Sequence, residues 1–157
     1  MASSPPEATA AAAGDSRFGT AWLTALPPIA PGAELGPLQL AWLGDAVWEL
    51  HQRLHHCRSA GRSRDLHQAV VQRVRAAAQA EALRRLEPLL QESEREQVRR
   101  GRNRAGRGPR NGDPATYGQA TGFETMLGWL FLTNPTRLAE LLDHLEKTDT
   151  PPVPASP

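Results

Sequence analysis

Two carboxylates stand among apolar residues in two separate segments of the chain, and these acids are the first candidates for chemistry. Asp45 lies within residues 43–49 (LGDAVWE), and Glu124 lies within residues 120–129 (ATGFETMLGW). Each segment has the pattern of a helix with an apolar face. A carboxylate in apolar surroundings is energetically costly unless it forms an ion pair or binds a metal ion. We therefore expect both acids to have a partner.

Each acid also has a glycine near it on the same predicted helix, Gly44 beside Asp45 and Gly128 one turn after Glu124. Glycine inside a helix costs about 1 kcal/mol relative to alanine, and it is tolerated where another backbone approaches closely. The pattern predicts two closely crossing helices with the acids between them. Such acids can hold Mg²⁺ or Mn²⁺, which activates water and stabilises charge at phosphorus. A structural ion pair is an equal alternative.

Three further residues could contribute chemistry, and each has a simpler interpretation. Glu49 lies one helical turn after Asp45 on the same face, which makes it a weaker metal candidate or a solvent-facing acid. His67 has a side chain whose unperturbed pKa of about 6.5 suits a general base, although capping or packing of a helix is the favoured interpretation. Cys57 is the one cysteine, and we expect it to pack or to lie at the surface.

The charge of the chain is distributed unevenly. Its formal net charge is +1, yet residues 99–110 hold six arginines and no acid. The remainder of the chain carries twelve basic residues and seventeen acidic ones. An arginine-dense segment in a nearly neutral protein indicates an anionic partner. A solvated loop is the alternative.

The apolar pattern predicts an all-α protein with about six helices in one domain. Leu40, Leu43, Val47, Leu50 and Leu54 recur at helical spacing. Residues 101–114 are expected to be irregular because they contain four glycines and two prolines, and Ser93 is the candidate cap of the helix before them. The predicted helices span residues 37–57, 64–87 as one helix or two, 92–100, 115–132 and 135–147.

The two ends of the chain differ from its middle in composition. Residues 1–16 are rich in alanine, serine and proline and are predicted to be disordered, whereas residues 17–147 form the folded domain. Residues 148–157 contain four prolines and are predicted to be a flexible tail. No apolar run approaches the roughly 20 residues needed to cross a membrane, and the start lacks a secretory signal. We expect a soluble, cytoplasmic protein.

The segment around Asp45 resembles the signature helix of the ribonuclease III catalytic domain. Further matches follow in the order and spacing of that family, over about residues 36–146. Together they are similar to Mini-ribonuclease III, the short branch that lacks a double-stranded-RNA-binding domain. The matching segments are 66–67 (LH), 74–80 (VRAAAQA), 100–103 (RGRN), Tyr117, 121–124 (TGFE) and 127–130 (LGWL).

The resemblance implies a helical bundle like the ribonuclease III endonuclease domain, in a homodimer formed between signature helices. Trp42 and its neighbours are candidates for the interface, and core packing is the alternative for Trp42. The resemblance also implies a Mg²⁺-dependent endoribonuclease, with Mn²⁺ as a substitute, that cuts both strands of an RNA duplex and leaves 5′-phosphate and 3′-hydroxyl ends. Asp45 and Glu124 become the catalytic, metal-binding pair, with Glu49 as a weaker third ligand. The usual substrate of this branch is the precursor of 23S ribosomal RNA.

Two positions depart from the longer ribonuclease III enzymes, which have acids where this chain has Ala41 and Thr121. The Mini branch shares both departures, and they leave fewer metal ligands. Without a second RNA-binding domain, the arginine-dense segment is expected to supply much of the affinity by contacting phosphates. The alternative function is a non-catalytic helical RNA-binding module. The expected RNA-binding residues are Arg100, Arg102, Asn103, Arg104, Arg107 and Arg110.

Overall fold

The computed structural model describes residues 29, 34–58 and 61–149, and six α-helices account for most of them. The described residues contain no β-strand, which confirms the all-α prediction. The chain divides into two units, Met1–Glu34 and Leu35–Pro157, and the helices all belong to the second. They are α1 (Pro37–Cys57), α2 (Ser63–Arg73), α3 (Ala76–Leu86), α4 (Glu92–Arg104), α5 (Pro114–Thr133) and α6 (Pro135–Thr148), with a 3₁₀ turn at Glu87–Leu89.

Helix α5 is the centre of the core. Phe123, Met126 and Leu127 on it are completely buried, and α1, α3 and α4 pack around it. Helix α6 adds four leucines, which are all buried: Leu138, Leu141, Leu142 and Leu145. A central helix that is buried on most sides needs apolar or small residues nearly throughout. Glu124 is therefore an exception that calls for an explanation.

The segment 64–87 forms two helices, α2 and α3, which are separated at Val74 and Arg75. The backbone of Arg75 is extended, with φ −66° and ψ 147°. The indole Nε1 of Trp48 donates a hydrogen bond to the carbonyl oxygen of Arg73 at 3.1 Å. This bond from α1 satisfies a carbonyl at the end of α2 that has no partner within its own helix.

Helix α4 begins at Glu92, as predicted, but it differs from its prediction in its cap and at its C-terminal end. Its N-cap is Gln91 rather than Ser93, and the Glu94 carboxylate accepts a hydrogen bond from the Gln91 backbone N–H at 2.7 Å. It continues to Arg104 rather than ending at residue 100. The reason is Gly101, which is buried against Gly122 and Thr125 of α5 at a position where a β-carbon would overlap them. Tertiary packing thus outweighs the low helix propensity of glycine.

The buried face of α1 also differs from the predicted apolar stripe. Its buried residues are Leu40, Ala41, Gly44, Trp48 and Gln52. Leu50 and Leu54, which the spacing placed in that stripe, are exposed. The glycine decides the orientation of the helix, because the side that approaches α5 most closely cannot carry a side chain. An apolar face of α1 therefore remains uncovered by the other residues that the structure describes.

The chain ends are described only in part. The segment predicted to be disordered, residues 1–16, lies outside the described residues, so the domain boundary at residue 17 stays a prediction. At the other end, α6 includes Thr148, and Asp149 forms ion pairs with Arg73 and Arg85. The first two residues of the predicted tail therefore belong to the folded unit. No helix within residues 34–58 and 61–149 is long and apolar enough to cross a membrane.

Candidate active site

The site forms where α1 crosses α5. A β-carbon on Gly44 would overlap the backbone oxygen of Glu124, and one on Gly128 would overlap the backbone oxygen of Leu40. The two helices thus approach backbone to backbone, which confirms the close crossing predicted from the glycines. Asp45 follows the first glycine directly, so the crossing brings its side chain to the edge of α5 beside Glu124.

The two carboxylates differ in environment. Asp45 is exposed, so the expectation that it lies among apolar neighbours is wrong, because the buried face of α1 is turned away from it. Glu124 is half-buried. Burial above all, together with the nearby charge of Asp45, raises the pKa of the Glu124 carboxyl to about 7, although a hydrogen bond from Gln79 opposes the shift. The two acids are therefore close enough for their charges to repel each other.

A third helix contributes a residue that we did not select from the sequence. The amide Nε2 of Gln79, on α3, donates a hydrogen bond to Oε1 of Glu124 at 2.9 Å. Gln79 is only 2% exposed. The sequence signal was present, since residue 79 belongs to the family-like segment 74–80 and is a polar residue on the inner face of an otherwise alanine- and leucine-rich helix.

Two other candidates lie outside this pair. The carboxylate of Glu49 accepts a hydrogen bond from the Arg53 guanidinium at 2.5 Å, one turn further along α1. In residues 34–58 and 61–149 no three His, Cys, Asp or Glu side chains are grouped so as to hold a metal ion. His67 is exposed in the second turn of α2, so it neither caps nor packs that helix. Thr121 is buried and donates its hydroxyl hydrogen bond to the Tyr117 carbonyl at 3.0 Å.

The predicted RNA-binding residues are divided between a helix and a loop. Arg100, Arg102, Asn103 and Arg104 lie in the last turns of α4, and Arg107 and Arg110 lie in the loop that follows. Within the described part of the chain, none of these five arginines forms an ion pair with a carboxylate, whereas their neighbour Arg99 pairs with Glu92 and Glu96. The five guanidinium groups are thus available for an external anion.

The loop after α4 has a defined shape. Gly106 and Gly108 have positive φ angles of 68° and 71°, which favour glycine. Gly108 also lies against the ring of Tyr117, at a position where a β-carbon would overlap it. The loop ends at Asp113, which caps α5 by accepting a hydrogen bond from the Thr116 backbone N–H at 3.0 Å. These contacts hold Arg107 and Arg110 near the N-terminal end of the helix that carries Glu124.

Comparison with known proteins agrees with this geometry. The ribonuclease III domain family matches residues 38–135, which include both acids and the arginine-dense segment. A protein named Mini-ribonuclease 3 from a Synechococcus strain is 52% identical over 76% of this chain and 87% of its own length. Another of that name from a Synechocystis strain is 44% identical over 83% and 93%.

A solved structure supports the fold separately. The crystal structure of a protein from Fusobacterium nucleatum superposes with a TM-score of 0.68, at 24% identity, over 75% of this chain and 97% of the other. At that identity the likeness concerns the fold alone. The family match and the curated relatives carry the functional assignment. The chain belongs to the ribonuclease III family and is an endoribonuclease.

Proposed function

We propose that this endoribonuclease cleaves both strands of double-stranded RNA, with Asp45 and Glu124 as its catalytic residues. The observation that carries the proposal is the pairing of these two acids where α1 crosses α5, since burial and repulsion raise the pKa of the Glu124 carboxyl to about 7. Carboxylates brought together at such a cost suit a divalent cation, which would neutralise both. The cation is Mg²⁺, for which Mn²⁺ can substitute.

The donor set fits Mg²⁺ in particular. Mg²⁺ is usually bound through one or two carboxylates and keeps several waters or phosphate oxygens as its other ligands. Asp45 is exposed and can therefore meet a solvated ion, while Glu124 is held by Gln79 from the opposite side. When bound, the ion activates water and stabilises charge at the scissile phosphorus. Glu49 could bind the ion directly only after its hydrogen bond with Arg53 is broken. We therefore assign Glu49 at most a contact with the ion through a water molecule.

The arginine-dense segment provides the RNA contacts in this proposal. Duplex RNA is bound mainly through its shape, its phosphates and its 2′-hydroxyls. The five arginines without carboxylate partners suit phosphates, and Asn103, exposed between two of them, suits a hydroxyl. Because Gly108 and Tyr117 fix the loop, Arg107 and Arg110 are presented in a defined position rather than from a random coil.

The exposed apolar face of α1 is the proposed homodimer interface. Trp42 is 83% exposed, and Leu38 and Leu50 are each about half exposed. Large apolar side chains that lie together at a surface indicate a contact with another protein, and the family resemblance indicates a second copy of the chain. This face lies on the same helix as Asp45. In the proposed dimer, the active sites of both copies would therefore act on one RNA duplex.

The resemblance to the Mini branch supports our proposals for the product ends, the biological substrate and the location of the protein. The products carry 5′-phosphate and 3′-hydroxyl ends, the biological substrate is the precursor of 23S ribosomal RNA, and the protein acts in the cytoplasm. The test is a cleavage assay on a perfect RNA duplex, with and without Mg²⁺, in which the ends of the products are identified. We expect cleavage only with the metal. A protein that binds the duplex but never cuts it would instead be the non-catalytic RNA-binding module.

A further inference from the structure

Gln79 is the residue through which α3 contacts the carboxylate pair, and it has no assigned role. We infer that Gln79 is a positioning residue for the cleavage reaction: it holds one oxygen of Glu124 so that the other stays directed at the cation shared with Asp45. The inference rests on the proposed metal site, and it goes beyond it because Gln79 itself binds neither metal nor RNA.

The contact has the geometry that this role requires. The amide N–H of Gln79 donates to Oε1 of Glu124 at 2.9 Å, a normal length for such a bond. With 2% of its surface exposed, the Gln79 side chain is held by packing and has little freedom to choose another partner. The orientation of the Glu124 carboxylate is therefore fixed through Oε1, and the carboxylate keeps lone pairs with which it could bind a cation.

The backbone that carries Gln79 is held by α1. Trp48 donates to the Arg73 carbonyl at 3.1 Å, where α2 ends, and the Gln79 N–H bonds to the Arg75 carbonyl at 3.0 Å, where α3 begins. Trp48 also stands edge-on to Phe123, at 5.1 Å between ring centroids, one residue before Glu124. Helices α1, α3 and α5 thus fix both partners of the hydrogen bond.

The residue type at position 79 also fits. A glutamine amide donates a hydrogen bond to the carboxylate without carrying a charge. An arginine or lysine there would neutralise Glu124 and compete with the cation, and a glutamate would add a third negative charge. Hydrogen-bonding partners behind metal ligands typically contribute 10–100-fold in metal affinity or activity.

The experiment compares wild type with Gln79→Leu, which places an apolar side chain of similar size at this position and cannot donate a hydrogen bond. Mn²⁺ binding to the RNA-free protein is measured by calorimetry, and duplex cleavage is measured over a range of Mn²⁺ concentrations. We expect the Kd for Mn²⁺ to rise about tenfold or more. The kcat at low Mn²⁺ should fall in parallel and recover at saturating Mn²⁺, while the KM for the duplex is unchanged.

Gln52→Leu is the matched control. Gln52 is also buried, on α1, and its amide contacts His51 rather than either catalytic acid. The Gln52→Leu variant should bind Mn²⁺ as wild type does. If it lost as much Mn²⁺ affinity as Gln79→Leu, the loss would be a general effect of core disruption and the inference would be overturned. Gln79→Met provides a second, more flexible replacement should the leucine variant not fold.

The outcomes separate this inference from the proposed function. Wild-type Mn²⁺ affinity in Gln79→Leu or Gln79→Met would overturn the role of Gln79, whatever the cleavage rate, and would leave the metal site intact. The metal site itself, and the inference with it, would be overturned if the wild-type protein bound no Mn²⁺. The same would follow if Asp45→Asn bound Mn²⁺ as tightly as wild type does.

Discussion

At the scale of single residues, the two acids occupy different environments, since Asp45 is exposed and Glu124 is half-buried. Both stand in apolar patterns of the sequence. The sequence does not reveal the difference, because a helical pattern does not say which of two apolar faces meets the core. The hydrogen bond from Gln79 could not be predicted either, since it joins residues 45 positions apart on helices whose packing must be known first.

The raised pKa of Glu124 makes a prediction about stability. Its folded-state pKa is about 7 without metal, against 4.5 ordinarily, so between these pH values the folded state holds more protons than the unfolded one. The free energy of unfolding therefore falls as pH rises from about 4.5 to 7. Glu124→Gln removes this penalty and should stabilise the metal-free protein at pH 8 by about 1–2 kcal/mol, since water screens part of the repulsion.

Denaturant unfolding in the presence of a chelator measures this effect. At pH 4 the carboxyl is protonated in both states, so wild type and Glu124→Gln should have nearly equal stability. An advantage of the variant that is the same at pH 4 and pH 8 would contradict the assigned pKa. So would a wild type that is more stable than the variant at pH 8.

At the scale of elements, the positions of the glycines predicted the packing of the helices better than the positions of the leucines did. Gly44 and Gly128 correctly predicted the crossing of α1 with α5, because a missing side chain on a helix has few explanations other than close approach. The predicted end of α4 at residue 100 was wrong, because Gly101 was counted with the loop glycines although it packs against α5. Local composition cannot distinguish a glycine that ends a helix from one that packs a helix against its neighbour.

The end of α4 and its loop carry the prediction about RNA affinity. The combined replacement of Arg104, Arg107 and Arg110 by alanine should weaken duplex binding and reduce the salt dependence of that binding. Each lost phosphate contact should lower the slope of log affinity against log salt by nearly one. Binding is measured in the Asp45→Asn background so that cleavage does not intervene.

The matched control for this prediction is Arg84→Ala. Arg84 is an exposed arginine on α3 whose guanidinium already pairs with Glu81 through bonds of 2.8 and 2.6 Å. Its loss should leave the slope unchanged. A triple variant with the wild-type slope would show that phosphates are contacted elsewhere.

At the scale of the whole molecule, α1 presents an apolar face that the other described residues leave exposed, and in our proposal a second copy of the chain covers it. The helical periodicity predicted an amphipathic α1, but it assigned Leu50 and Leu54 to the same stripe as the buried Leu40. The helix has two apolar faces, one for α5 and one for the proposed partner. A single sequence cannot separate a core from an interface, because both are made of the same residue types.

Trp42→Glu tests the dimer. Sedimentation should show wild type at about twice the chain mass of 17.1 kDa and the variant at the chain mass, because a charge would be buried at the centre of the interface. Leu132→Glu is the control, since Leu132 is also exposed but lies at the end of α5. A variant that sediments as wild type does would place the interface elsewhere.

The central claim is that Asp45 and Glu124 act together on a divalent cation to cut duplex RNA. Its most direct test is single-turnover cleavage of a perfect RNA duplex by Asp45→Asn, with binding of the same duplex measured in parallel. Since Asp45 is exposed, this variant should fold and bind RNA as wild type does. We expect the cleavage rate of this variant to fall about a hundredfold or more at saturating Mg²⁺. Cleavage by Asp45→Asn at the wild-type rate would contradict the claim.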